Sequence, residues 1–252
     1  MQLTGNAILV TGGCSGIGRG LAESLHKLGN KVIIAGRRQG ALEETTRANP
    51  GIVSTNLNVN DPETIRAFAD RVTAEHPGLN VLINNAGIMK TENLKTLPAC
   101  LGESEAVITT NLLGPIRLTA ALLPYLRRQT HATIVNVSSG LAFVPLPVTP
   151  TYSATKAALH SYTLSLRVQL ADKAVEVIEI IPPAVATDLT PGRSTSDPRM
   201  MSLPDFIDQT MQILQKQPTP SEICVENVKF LRFAEATGTF DKTLQQLSAV
   251  RL

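Results

Sequence analysis

Little in this chain points toward metals, disulfides, membranes or polyanions. It has three cysteines among 252 residues, and Cys14, Cys100 and Cys224 show no metal-type spacing. An odd number in a chain of this size implies reduced thiols in a cytoplasmic protein. The four histidines, His26, His76, His131 and His160, are equally scattered, so no metal cluster is visible. Net charge is only +2, with Lys and Arg spread along the chain. A nucleic-acid footprint needs clustered charge, so none is expected. No basic segment precedes an apolar one at the N-terminus, and no apolar run approaches the roughly 20 residues of a membrane helix. Neither a signal peptide nor a membrane partner is expected.

What is present is apolar and regular. Hydrophobic residues make up 43% and charged ones 17%, enough to bury a large core and too few charges for disorder. Short β-branched runs at 6–11, 31–36, 52–57, 80–87, 132–139 and 174–181 alternate with longer amphipathic stretches, among them 101–123 and 152–171. Near-continuous Val/Ile runs signal strands covered on both faces, and their alternation with helices implies right-handed βαβ units. The expected fold is α/β, a Rossmann-type doubly wound parallel sheet of order 3-2-1-4-5-6, in one domain spanning 1–252. Its ligand crevice would lie at the carboxyl ends of the strands. Asp61 followed by Pro62 reads as a helix start. Beyond Thr187 the chain changes character: 188–201 is rich in turn residues, and helices are expected at 202–216 and 221–236, the second stopped by Gly238. No repeat or linker divides it.

The segment TGGCSGIG joins the first strand to the first helix, with glycines at Gly12, Gly16 and Gly18. Gly12 permits the tight turn, Gly16 lets backbone approach a pyrophosphate, and Gly18 allows close helix–strand packing. The helix N–H groups and dipole then face the phosphates. Cys14, Ser15 and Ile17 complete this cofactor loop, Cys14 as a small filler rather than a reactive thiol. The second strand ends in Gly36, Arg37 and Arg38, with no carboxylate until Glu43. An acid there would bind the ribose 2′-hydroxyl of NAD, whereas arginine makes charge-assisted contacts to a 2′-phosphate. NADP(H) is therefore favoured over NAD(H).

Several motifs in order resemble the short-chain dehydrogenase/reductase (SDR) family over about residues 3–188. They are TGGCSGIG, NNAG at 84–87, TNLLGP containing Asn111, the serine pair Ser138–Ser139, YSATK at 152–156 and PPAVAT at 182–187. The resemblance implies a catalytic set of Tyr152, Lys156, Ser139 and Asn111. Ser139 lies 13 residues before Tyr152, the family-like spacing. Lys156, four residues beyond Tyr152 on one helix, faces the same way, and its ammonium is expected to lower the tyrosine pKa from about 10 by about 1–3 units. Tyr152 would then exchange a proton with the substrate oxygen, which Ser139 would hydrogen-bond. Lys156 would also bind the nicotinamide ribose, and Asn111 would hold a relay water. The resemblance also places Asn58, Val59, Asn85, Ala86 and Gly87 on the adenosine side, and Pro182, Val185 and Thr187 beside the nicotinamide.

The sequence departs from the family pattern in three places. Asn58 replaces an aspartate, Pro183 replaces the glycine of a Pro-Gly pair, and residues 241–252 lack the usual final strand, which puts a seventh strand in doubt. The PPAVATDL segment and the ending are similar to a DltE-type subgroup. Loss of the terminal strand weakens the usual tetramer, leaving a homodimer through the long helices as the expectation, with a tetramer possible. Substrate choice is expected to rest on 88–97, 141–149 and the loop and helix at 188–216, with 188–201 acting as a lid. Residues 143–150, apolar and proline-stiffened, are either a substrate wall or a core-covering loop. The expected activity is reduction of a ketone or aldehyde, or its reverse. A nicotinamide-sensing binding protein is the alternative, although such proteins typically lose the tyrosine or lysine. Epimerases and dehydratases on this scaffold usually carry a further substrate domain.

Overall fold

The computed structural model describes residues 1–95, 101–171, 174–189, 197 and 199–250. The β-branched runs form the strands β1 (Ala7–Thr11), β2 (Lys31–Gly36), β3 (Val53–Asn56), β4 (Leu79–Asn84), β5 (Ala132–Val137) and β6 (Val175–Ile180). All pair in parallel, and a seventh strand, β7 (Glu222–Ile223), joins β6 to give the order β3-β2-β1-β4-β5-β6-β7. The doubt about a seventh strand is thereby corrected. It lies in a segment expected as helix 221–236, which the fold breaks into β7, a 3-10 turn (Glu226–Val228) and a short helix. The reason is burial: Ile223 is fully enclosed at the sheet edge, and an edge pairing of two residues leaves no periodicity to read.

Alternation along the strands sorts two apolar layers. Ile8, Val10, Ile34 and Ile83 pack with α1 (Gly16–Lys27) and α2 (Gln39–Ala48) on one face, while Leu9, Ile33, Leu82 and Ile134 pack with α3 (Pro62–Glu75) on the other. Asp61 caps α3 as its sequence implied, its Oδ1 accepting from the Glu63 N–H at 3.0 Å. The stretch 101–126 comprises α4 (Leu101–Ile108), a π-helical turn (Thr109–Leu113) and α5 (Gly114–Leu126), with α5 packing on α3 and α4 on α6 (Pro150–Gln169). By length and composition, Leu101–Leu126 could cross a membrane, contrary to the expectation that no run would. Its apolar residues Leu118, Leu122 and Leu126 are buried in the core.

The C-terminal part packs α7 (Leu203–Leu214) on α1, with Phe206 fully buried, and ends in α8 (Lys229–Arg232) and α9 (Phe240–Ser248). Ser202 caps α7, its Oγ accepting from the Asp205 N–H at 3.2 Å. The ending expected to lack a strand is helical. Cys14 and Cys224 are free thiols, whereas Cys100 and most of the loop 188–201 lie outside the described residues.

Candidate active site

A cavity of about 950 Å³ opens at the carboxyl ends of the central strands, where a doubly wound sheet places its crevice. Its floor is the turn after β1. Gly12 (φ +66°) and Gly16 (φ +51°) hold left-handed backbone that other residues rarely adopt. The Thr11 hydroxyl accepts from the Asn85 and Ala86 N–H groups at 3.0 and 3.1 Å, pinning β4 to this turn. Gly18 has another task. A Cβ there would meet the Gly12 carbonyl at 2.4 Å and Asn85 Nδ2 at 2.3 Å, so Gly18 serves helix–strand packing and stays off the cavity wall.

Ser15 precedes α1 without capping it, and the first turn of α1 carries no acid. Its leading N–H groups and dipole are available to an anion. A Cβ on Gly16 would reach Thr187 Cγ2 at 3.3 Å, so the loop and the 182–187 segment form a narrow cleft that only glycine keeps open. Cys14, Ile17, Arg37, Arg38 and Val59 line the same end. Arg38 donates to Ser15 Oγ at 2.7 Å, while Glu43 accepts from Gln39 and Glu44 pairs with Arg19, so neither stands at the end of β2. A glycine cradle, a free helix N-terminus and two arginines fit a phosphorylated dinucleotide. Asn58 is the exception: its Oδ1 accepts from the Asn60 N–H at 3.2 Å, and it does not line the cavity. An amide next to its own turn closes that turn first.

At the other end, α6 brings Tyr152 and Lys156 to the wall, 5% and 4% exposed. Pro150 at its first turn fixes where it starts. Lys156 Nζ donates to the Val137 carbonyl at 2.8 Å and lies 5.6 Å from the centre of the Tyr152 ring. Ser139 Oγ accepts from the Leu141 N–H at 3.1 Å, capping the turn that follows β5. Burial pushes the Tyr152 hydroxyl up to about 12, against the neighbouring Ser139 hydroxyl. Burial likewise pushes Lys156 down to about 8, against the Glu179 carboxylate. The shift runs opposite to the expected lowering: in this enclosed wall, desolvation outweighs the Ser139 hydrogen bond.

Asn111 is fully buried within the π-helical turn, a device frequent at functional sites. Its Oδ1 accepts from the Ile88 N–H and its Nδ2 donates to the Ile88 carbonyl, each at 2.9 Å. It thus clamps the chain after β4, beside the cavity-lining Gly87. Pro182, Val185 and Thr187 line the cavity, as do Asn85, Ala86 and Gly87. Two hydrogen bonds, Ala186 N–H to the Met201 carbonyl (2.9 Å) and Met201 N–H to the Ala184 carbonyl (2.8 Å), tie the base of the 188–201 loop to this segment.

The far wall carries no sequence signal. Phe230 and Leu231 of α8, with Leu247 and Val250 near the C-terminus, line the cavity together with the expected Leu141 and Leu146. Gly140 admits Leu231, since a Cβ there would meet Leu231 Cδ1 at 2.6 Å. An apolar stripe on a short terminal helix gave no signal distinguishable from ordinary core packing.

A family model described as short chain dehydrogenase matches residues 6–197. An uncharacterized oxidoreductase of Bacillus subtilis (strain 168), DltE, is 40% identical over 98% of this chain and 98% of its own length. A short chain dehydrogenase of Burkholderia cenocepacia J2315, solved in complex with NADP, superposes with a TM-score of 0.80 at 25% identity, with all of both chains covered. A short chain dehydrogenase/reductase of Burkholderia phymatum, solved in complex with NAD, gives 0.81 at 22% identity over 100% of this chain and 99% of that one. With this fold, these motifs and these relatives, the chain belongs to the short-chain dehydrogenase/reductase family and is an oxidoreductase that works with a nicotinamide cofactor.

Proposed function

We propose that this protein is an NADP(H)-dependent reductase of ketones or aldehydes, running in reverse as an alcohol dehydrogenase, with residues 1–252 acting as one catalytic domain. The observation that carries the reading is a single cavity with Tyr152, Lys156 and Ser139 on one wall and Arg37 and Arg38 at its other end. When bound, the nicotinamide supplies or takes up the hydride. The protein's own residues handle the proton and the charge. Tyr152 donates its hydroxyl proton to the carbonyl oxygen, and Ser139 Oγ hydrogen-bonds that oxygen as charge develops on it. Lys156 holds the ribose hydroxyls, and its ammonium stabilises the tyrosinate left behind. Asn111 keeps the Ile88 backbone, one edge of the substrate space, in register.

The 2′-phosphate preference rests on charge. Arginine contacts to phosphate are worth about 1.5–3 kcal/mol, or roughly ten- to hundredfold in preference. Asp188 to residue 216, with the apolar far wall, forms the substrate region. A cytoplasmic homodimer is the proposed working form. Leu101 and Val168, on α4 and α6, are 67% and 77% exposed, as to a lesser degree are Ile108 and Leu164 on the same two packed helices, and a second copy would cover them. Light scattering of Leu164→Glu/Val168→Glu, expected to be monomeric, checks this.

The functional test is loss of reduced-nicotinamide absorbance with a panel of ketones and aldehydes, NADPH and NADH side by side. Turnover favouring NADPH is expected. Tight NADPH binding without turnover of any carbonyl would move the reading to a cofactor sensor.

A further inference from the structure

Four strands contribute one polar residue each to a single row beneath α5 and α6. Asn84, Asn136, Glu179 and Glu222 are in register across β4, β5, β6 and β7. Asn84 donates to Asn136 Oδ1 at 2.9 Å, and Asn136 donates to Thr163 of α6 at 2.9 Å. Glu179 is fully buried and meets His160 Nδ1 at 2.8 Å through one oxygen, while its Oε1 has no hydrogen-bond partner among the described residues. Glu222 is different, because Arg232 of α8 holds both its oxygens, at 2.7 and 2.9 Å.

The row runs directly behind the reactive wall. Tyr152, Lys156 and His160 follow one another at intervals of four on α6, one helix face. Lys156 rests on the carbonyl of Val137, the residue after Asn136, and His160 rests on Glu179, the strand neighbour of Asn136. Lys156 and His160 are neighbours one turn apart on α6, so the carboxylate that His160 holds sits within electrostatic reach of the ammonium in an interior that screens poorly. The other charged or titratable groups near Glu179 are His160 and Arg167 from α6, Glu222 from β7 with Cys224 just beyond it, and Arg232 from α8. With Arg232 engaged by Glu222, Glu179 is the carboxylate that acts on Lys156.

We infer that Glu179 is a positioning residue for the reaction proposed above: its buried carboxylate, held by His160, keeps Lys156 in the ammonium form that proton transfer from Tyr152 requires. Neither the cofactor loop nor the Tyr-Lys motif specifies this residue. It belongs to the wall behind them.

The test reads Lys156 directly, in protein without cofactor. In carbon-13 lysine-labelled protein, the Lys156 signal (identified by its loss in Lys156→Arg) should titrate near 8. Glu179→Gln should move that midpoint down by about one pH unit, a tenfold change in the ammonium-to-amine ratio. Glu179→Asp, which keeps the charge, should restore it. The alkaline limb of kcat/KM for reduction should follow the same order. An unmoved midpoint in Glu179→Gln overturns the inference, as does an equal loss of kcat/KM at every pH. If Glu179→Gln does not fold, Glu222→Gln takes its place: the released Arg232 has Glu179 as its next carboxylate, so the midpoint should fall by a smaller amount, and no movement overturns the inference. A shifted midpoint without turnover of any carbonyl would leave the charge coupling in place and remove the reductase reading alone.

Discussion

At the cofactor end of the cavity the backbone makes the wall, whereas at the other end side chains do. Gly12 and Gly16 hold φ angles that shape the first, and the Thr11 hydroxyl fastens it to β4. The second is made by Leu141, Leu146, Phe230, Leu231, Leu247 and Val250, carried on short turns and terminal helices. A backbone wall at the head of a sheet has one shape, and Arg37 and Arg38 add only charge beside it. A wall of side chains on peripheral elements is re-cut by single substitutions without disturbing the sheet. The division also follows the chain: the family match ends at residue 197, and four of those six wall residues lie beyond it.

The largest effect should come where the two ends meet. Tyr152→Phe removes the proposed proton donor and keeps the ring, so kcat/KM for carbonyl reduction should fall about 10²–10⁴-fold. NADPH affinity, read by fluorescence titration, should change little. Arg38→Asp should act on the cofactor end alone, cutting the NADPH-over-NADH ratio of kcat/KM by roughly ten- to hundredfold at constant substrate ranking. Phe230→Ala should do the reverse: about tenfold lower kcat/KM for bulky apolar carbonyls, little change for the smallest ones, and an unaltered cofactor ratio. If either substitution moved both properties together, the two ends would not be separable.

A smaller effect concerns stability. Burial holds Lys156 near 8, below its ordinary 10.5, so between those values the unfolded chain binds more protons and this residue's contribution to stability improves as pH rises. The buried ammonium thus costs stability fully below about 8. Lys156→Met should be inactive yet more stable at pH 7 by about 2 kcal/mol, once the lost hydrogen bond to Val137 is deducted. That gain should fade between pH 8 and 10.5, as urea unfolding at several pH values would show.

The same division governs how much could be read from the sequence. The strands from β1 to β6 were legible because burial on both faces leaves continuous Val/Ile runs, and the glycine turn because only glycine tolerates its φ angles. Tyr152, Lys156 and Ser139 were legible as a spaced set, and the structure brings them to one wall. Their protonation was not, because desolvation depends on enclosure by segments far away in sequence. Asn58 and Asn111 show a second limit. An amide's residue type says that it will hydrogen-bond, but not whether a nearby backbone group claims it first, as the Asn60 N–H and the Ile88 backbone do. β7 and the far wall were hidden by brevity: two strand residues and a four-residue helix carry no period. Glu179, a lone acid in an apolar strand, acquires meaning only from its register with Asn136 and its contact with His160.

The most direct test of the account is isotope transfer. NADPH carrying deuterium at both nicotinamide C4 positions would be incubated with the carbonyl panel, and the alcohols read by mass spectrometry for wild type and Tyr152→Phe. One deuterium on the carbinol carbon of at least one product, formed by wild type and all but lost in Tyr152→Phe, is the expected result. Label transfer undiminished in Tyr152→Phe, or no labelled alcohol from any carbonyl despite saturating NADPH, would contradict it.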